Sequence, residues 1–235
     1  MVALVVLPGM DGTAMPRADF AAALGPGIEP RVISYPPDPA LGYGELEALV
    51  RASLPADRPY ILLGESFSGP IAISIAASRP PNLVGLVLCV TFARNPLPVV
   101  GSMPWLLPLT PFGLAPMRVI SALLLGRFAT TPLIKALRVT FDEVSTQTFK
   151  ARLGAVARAD MRPALTNVHV PVLYLRATED RLVPRHCAND IARLATQTRI
   201  VDIEAPHTLL QVAPAAAAAA VKAFVDTLAV TGPQR

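Results

Sequence analysis

Cysteine is nearly absent from the 235-residue chain: Cys89 and Cys187 are too few for a disulfide framework and lack metal-ligand spacing. Cys89 lies in the apolar run Leu86-Val87-Leu88-Cys89-Val90, where a buried thiol packing as a small hydrophobe is the expected role. Such usage fits a reducing cytoplasm. Histidine is scarce as well, so imidazole chemistry falls to one of three side chains, His169, His186 or His207. Charged residues are only 16% of the chain against 52% hydrophobic ones, which excludes a disordered protein. The N-terminus has no basic segment, and its apolar stretch Val2–Leu7 is stopped by Pro8-Gly9, so no signal peptide is expected. An unbroken membrane span is missing too. The one suspect, Met103 to Gly126, is interrupted by Pro104, Pro108, Pro111 and Pro116 and contains Arg118. The basic residues carry no interleaved aromatics and no nucleic-acid motif, so no nucleic-acid partner is expected, and no metal or organic cofactor is implied.

What is present is a chain long enough to bury a substantial core unaided, with a mean hydropathy of +0.47. That value is high, and it points to a large core or to apolar surface serving a greasy ligand or a membrane edge. The net charge of +4 is unevenly placed. Residues 92–165 hold nine basic side chains (Arg94, Arg118, Arg127, Lys135, Arg138, Lys150, Arg152, Arg158 and Arg162) against three acidic ones, and the remainder of the chain is mildly acidic.

Short apolar runs at Val2–Leu7, Arg31–Ser34, Tyr60–Leu63, Leu83–Val90, Val170–Leu175 and Thr198–Ile203 read as strands. Helical spacing or composition marks Tyr43–Leu54, Phe67–Ser78, Cys187–Ala195 and the Ala-rich Val212–Val230. This alternation predicts an α/β fold with a mostly parallel sheet of about six strands, helices on both faces and right-handed crossovers. Between Phe92 and Leu165 the alternation breaks into two to four expected helices with proline-rich joints. Ligands of open α/β sheets bind beyond the carboxyl ends of the strands, where such an insertion would sit as a lid. The expected organisation is a core of residues 1–91 and 166–235 with a helical lid at 92–165.

The sharpest motif is Leu63-Gly64-Glu65-Ser66-Phe67-Ser68-Gly69-Pro70, where a strand runs through a tight turn directly into a helix. Small residues at Gly64, Ser68 and Gly69 let neighbouring backbone approach a strained serine, whose hydroxyl then stands at a helix N-terminus. The strict pattern is Gly-x-Ser-x-Gly, and Ser68 holds its last position here. A serine hydroxyl needs a base. His207 lies in Glu204-Ala205-Pro206-His207-Thr208, just past the last strand, where a loop of a parallel sheet can reach Ser66. The imidazole in turn needs a carboxylate, and Glu179 or Asp180 after the Val170 strand is in the right chain order. The oxyanion needs two donors. The Phe67 backbone N–H, following the nucleophile, is one. The other is expected from Pro8-Gly9-Met10-Asp11-Gly12 and assigned to the Met10 N–H, with Asp11 as a less favoured acid.

Over nearly its whole length the chain resembles the α/β-hydrolase superfamily, whose order Ser66, Asp180, His207 with a lid before the acid it reproduces. The Asp-x-x-Val-Pro pattern starting at Asp180 resembles what this loop carries in many serine hydrolases, which favours Asp180 over Glu179. Where many members have His-Gly, this chain has Pro8-Gly9, and its sheet begins at the family's third strand. The resemblance implies a serine carboxylesterase acting on short or medium acyl esters through an acyl-enzyme. The apolar lid residues Trp105, Leu106, Leu107, Leu109, Phe112, Leu114, Leu123, Leu124 and Leu125 suit an aliphatic chain. The basic lid is similar to that of the pimeloyl-acyl-carrier-protein methyl ester esterases of biotin synthesis. This implies Arg138, Lys150, Arg152, Arg158 and Arg162 as a docking face for an acidic acyl carrier protein. A lysophospholipase or lipase, or a binding protein that kept a hydrolase shell, are the alternatives.

Overall fold

The computed structural model of the chain describes residues 1–13, 18–96 and 116–230. Its strands are β1 (Val2–Leu7), β2 (Ile28–Val32), β3 (Tyr60–Glu65), β4 (Leu83–Cys89), β5 (Val172–Ala177) and β6 (Thr198–Ile203). They form one parallel sheet in the order β2-β1-β3-β4-β5-β6. Around the sheet lie helices α1 (Ala18–Leu24), α2 (Tyr43–Ala52) and α3 (Gly69–Ala77). Between β4 and β5 come α4 (Met117–Leu124), α5 (Thr131–Asp142), α6 (Thr146–Arg158) and the single turn α7 (Arg162–Leu165). The chain closes with α8 (Arg185–Leu194), the short α9 (Leu209–Val212) and α10 (Pro214–Val230).

Both faces of the sheet are covered, which is why its strands are continuous apolar runs rather than alternating ones. Leu4 and Val6 of β1 pack with Ile61, Leu63 and Val87 under Phe20 and Leu24 of α1 and Val221 and Phe224 of α10. Val5, Leu62, Leu86 and Leu88 face the other way, under Leu46 and Val50 of α2, Ile71 and Ile75 of α3 and Ile191 of α8. In the polyalanine stretch, Ala217 and Ala218 are buried on the sheet side, so small size there lets α10 sit close to the strands.

Helix α1 and strand β2 depart from the sequence reading. Helix α1 has no counterpart in it: seven residues carry only Phe20 and Leu24 as a buried pair one turn apart, too little periodicity to register. Strand β2 begins at Ile28, not Arg31, and runs through Pro30, which pairs with Leu4. Proline is tolerated because β2 is an edge strand and needs ladder donors on one side only. Trp105, Leu106, Leu107, Leu109, Phe112 and Leu114 lie outside the described residues. Among the described residues no helix is long and apolar enough to cross a membrane.

Gly64 near the end of β3 fixes how closely α3 approaches the sheet. A Cβ there would stand 2.8 Å from the Ala72 Cβ and 2.9 Å from the Ser68 carbonyl oxygen. Overpacking of this kind costs about 1–3 kcal/mol. Gly64→Ala is therefore expected to lower the melting temperature by roughly 2–4 °C for each kcal/mol lost. Calorimetry checks this, and an unchanged transition would show that α3 can retreat freely.

Candidate active site

The turn after β3 is unusual from its first residue. Ser66 has φ 48°, in the left-handed region that residues with a side chain avoid, and opens a single 3₁₀ turn, Ser66–Ser68, ahead of α3. The helix read from the sequence as starting at Phe67 is thus two pieces. Glycine is required at both flanks: a Cβ on Gly69 would run into the Thr91 side chain, and that on Gly64 into α3. The Thr91 hydroxyl donates to the Ser66 carbonyl. Thr91 is itself gripped by the buried Tyr174 hydroxyl, which accepts from the Thr91 N–H at 3.1 Å and donates to its carbonyl at 2.6 Å. Ser68, standing where the strict motif has glycine, donates to the Pro8 carbonyl. Having spent its one proton there, it accepts from the Tyr35 hydroxyl at 2.7 Å. The substitution thus ties the turn after β3 to the loop after β1.

Three side chains from distant loops meet at this edge. The Ser66 Oγ lies 2.8 Å from His207 Nε2, and His207 Nδ1 lies 2.9 and 3.1 Å from the two Asp180 oxygens. An ionised carboxylate only accepts, so Nδ1 carries the proton and Nε2 accepts from the serine. Asp180 is aimed by the backbone N–H groups of Leu182 and Val183, at 2.8 and 3.0 Å from its Oδ1. Glu179 turns away and binds Arg127 at 2.7 Å. His169 and His186 are exposed and elsewhere. Asp11 accepts from Thr13 in its own turn, at 3.0 Å from the N–H and 2.6 Å from the hydroxyl.

Above these residues opens a cavity of about 280 Å³. Its floor includes Gly9, Met10, Ser66, Phe67 and His207. Its walls come from α4, α5 and α6 and the loop after Asp180: Leu124, Leu137, Phe141, Leu153, Val156 and Leu182 among them. A family model described as the alpha/beta hydrolase family matches residues 4–221 of the chain. The chain belongs to that family. A curated relative, the biotin biosynthesis bifunctional protein BioHC of Cellvibrio japonicus, is 28% identical over 218 residues, covering 80% of this chain. The chain spans about two fifths of that relative's length, 41%. Among solved structures, the enol-lactonase of Burkholderia xenovorans LB400 superposes with a TM-score of 0.79 at 18% identity, over 96% of this chain and 91% of its own. The esterase EaEST of Exiguobacterium antarcticum gives 0.78 at 14% identity, over 96% and 92%. At such identities the likeness speaks for the fold.

In this alpha/beta hydrolase the basic side chains of residues 92–165 do not form one face. Arg152 is a correction to the expected docking surface: it is 1% exposed, turned into the core, and its Nη1 donates to the Met10 carbonyl at 2.7 Å and its Nη2 to the Pro36 carbonyl at 2.9 Å. Arg162 is exposed but clasps Asp160 at 2.6 and 2.8 Å. Arg138, Lys150 and Arg158 are exposed. Sequence reasoning missed Glu65, which is 4% exposed, lines the cavity and accepts from Gln211 at 3.4 Å. Its place inside the Gly64–Ser68 turn was the available signal. Nothing local in the sequence points to Tyr35, Tyr174 or Thr91, whose roles come from contacts across 25 to 83 residues.

Burial is the largest single influence on the His207 imidazole and pushes its pKa down. The Asp180 carboxylate, by charge and hydrogen bond, and the Glu65 carboxylate push it up, and the balance lies above the ordinary histidine value. Nitrogen NMR of the histidines is expected to show His207 titrating above about 6.5. In Asp180→Asn the main opposing influence is gone and burial prevails, so the midpoint is expected to fall below that value. A midpoint that stays put would show that Asp180 does not set it.

Proposed function

We propose that the chain is a serine carboxylesterase that transfers an aliphatic acyl group to water through an acyl-Ser66 intermediate. The observation that carries this reading is the hydrogen-bonded series Ser66, His207, Asp180 at the floor of an apolar cavity. In it, Ser66 Oγ attacks the ester carbonyl carbon while its proton passes to His207 Nε2. Asp180 holds Nδ1 protonated and balances the imidazolium. The oxyanion is received by the Phe67 and Met10 N–H groups. Collapse breaks the bond to the alcohol, which leaves with the proton from His207. Water then attacks the acyl carbon, gives its proton to His207 and releases the acid as Ser66 is restored. Residues 92–165 act as the lid, since this segment, through α4, α5, α6 and the stretches that join them, supplies more than half of the described lining and excludes water from the reacting bond.

The cavity also speaks for a substrate class. Its described lining contains no lysine or arginine, and Asp11 and Glu65 lie on it. An acyl chain ending in a free carboxylate would lose hydration there with no cationic side chain among the described lining residues to pair it. We infer a chain whose far end is neutral, as it is when esterified or borne on a carrier. A carrier-borne substrate is supported by two further observations: the 28% identical relative bears a name in biotin biosynthesis, and Arg138, Lys150 and Arg158 stand exposed on the segment that walls the cavity. On this narrower reading the substrate is the methyl ester of a pimeloyl chain held by an acyl carrier protein. In a cytoplasmic setting the acidic carrier is the partner.

Ser66→Ala is expected to lower p-nitrophenyl butyrate turnover by about 10⁴-fold or more and to abolish labelling by a fluorophosphonate. Comparable turnover in the variant would overturn the serine mechanism. The neutral-end reading predicts a kcat/KM for dimethyl pimelate about tenfold or more above that for monomethyl pimelate, a difference of ~1.4 kcal/mol. Equal values would remove it. Charge reversal by Arg138→Glu and Arg158→Glu is expected to raise KM for an acyl-carrier ester severalfold and to leave a small soluble ester unchanged. If both substrates respond alike, docking through this face is wrong.

A further inference from the structure

Arg152 reaches from α6 into the base of the proposed active site. Both of its hydrogen bonds go to neutral carbonyls, those of Met10 and Pro36, at 2.7 and 2.9 Å. Its Nε is buried with no partner, and its guanidinium carbon sits 6.0 Å from the ring centroids of both Tyr35 and Phe67. A buried guanidinium hydrogen-bonded to neutral carbonyls is a poor way to gain stability, because the cost of its burial outweighs the attraction of the nearby Asp11 carboxylate. Its partner on the loop after β1 indicates another use.

Residues Gly9–Gly12 form a β-turn, closed by the Gly12 N–H on the Gly9 carbonyl at 3.1 Å. Each end of this loop is held independently. The Pro8 carbonyl accepts from Ser68, and the Gly12 carbonyl accepts from the Tyr35 N–H at 2.8 Å. Between these ends lies Met10, whose N–H belongs to the Gly9–Met10 peptide and whose carbonyl belongs to the Met10–Asp11 peptide at the middle of the turn. It is the carbonyl of this peptide that Arg152 holds. Gly12, at φ 76°, leaves room for the guanidinium: a Cβ there would stand 2.8 Å from Nη1.

We propose that Arg152 is a positioning residue that, by anchoring the Met10 carbonyl, holds Met10 in place in the loop, and so keeps the N–H on the other side of this residue, that of the Gly9–Met10 peptide, aimed at the oxyanion. This deepens the serine esterase reading and rests on it. It also makes the oxyanion hole complete only when α6 is seated on the core. Arg152 touches no substrate, so its loss acts on the transition state through Met10 and leaves the apolar cavity to bind esters as before.

The test compares Arg152→Met, of similar length without donors, and Arg152→Lys, which keeps a charge and can reach one carbonyl, with the unaltered chain on p-nitrophenyl butyrate. Arg152→Met is expected to lower kcat about 10- to 100-fold with KM within about twofold, and Arg152→Lys to recover part of the loss. Two inhibitors separate positioning from mere support of the fold. An alkyl trifluoromethyl ketone, which adds the Ser66 oxygen to its carbonyl and forms an oxyanion, should bind weaker in Arg152→Met by the factor lost in kcat/KM. Hexanol, which fills the cavity without forming one, should bind unchanged. Wild-type kcat in Arg152→Met, or equal weakening of both inhibitors, would overturn the proposal. If Arg152→Met does not fold, the contrast between the two inhibitors is read in Arg152→Lys by the same criterion. Ser66→Ala in the same assay keeps the two readings apart: full activity there sinks the serine mechanism, whereas an inactive Ser66→Ala beside a normal Arg152→Met sinks only the role of Arg152.

Discussion

A residue with a side chain in the left-handed backbone region is disfavoured by roughly 1–2 kcal/mol, so Ser66, at φ 48°, stays there because its surroundings offer no relaxed alternative. Gly64 and Gly69 clear the space on either side, and the Thr91 hydroxyl holds the Ser66 carbonyl. Thr91 in turn follows Val90, a β-branched residue at φ 44°, and is clasped at both backbone groups by Tyr174. Two strained residues at the ends of neighbouring strands therefore brace each other, with a buried tyrosine from a third strand locking the pair. The 2.8 Å approach of Ser66 Oγ to His207 Nε2 depends on that arrangement, since any relaxation of the turn swings the hydroxyl away.

The other half of the geometry comes from the parallel sheet. All six strands end at one edge, so the loops after β1, β3, β5 and β6 open together, which lets residues 141 positions apart share a hydrogen bond. The strand order still leaves a gap. β3 and β6 are three strands apart, roughly 14 Å at the usual spacing. The His207 loop has to run back along the sheet edge to reach Ser66. It is steered there by the Ala205 carbonyl accepting from the Glu179 N–H at 3.1 Å, and by the Thr208 hydroxyl donating to the Leu124 carbonyl at 3.1 Å. Asp180 follows β5, one strand from β6 and two from β3, where a carboxylate can touch the imidazole without reaching the serine.

What could be read from the sequence follows from which signals are local. The strands were legible because burial on both faces turns each into an unbroken apolar run, and Leu63–Pro70 because a strained serine needs small residues at fixed offsets. Strand β2 was obscured by Pro30, a residue whose cost depends on being at a sheet edge, which is a tertiary fact. Helix α1 escaped because seven residues with two buried side chains carry too little pattern. Arg152 was misread for a deeper reason. A charged residue on an amphipathic helix is normally solvated, and only the carbonyls of Met10 and Pro36, 142 and 116 residues away, make an inward guanidinium tenable. Ser68 was read as a mere small residue, yet its hydroxyl ties two loops together.

Net charge along a chain is blind to this distinction, and in residues 92–165 the distinction divides the arginines by role. Arg138 and Arg158 face solvent, where they can act on a partner only through a screened field. Arg152 acts over one hydrogen bond on the loop after β1. Arg127, in the turn after α4, binds Glu179 at 2.7 Å and Glu204 at 2.5 Å, beside the residues that follow β5 and β6. From the opposite side, Arg181 donates to the Ala122 carbonyl of α4 at 2.9 Å. The segment between β4 and β5 is thus hydrogen-bonded to each of the three loops that carry Met10, Asp180 and His207. Its packing and the geometry beneath it are one mechanical problem. A substitution that loosens the segment need not touch the reacting groups to disturb them, and the arginines that matter most for such coupling are the ones that solvent scarcely sees or that are already paired.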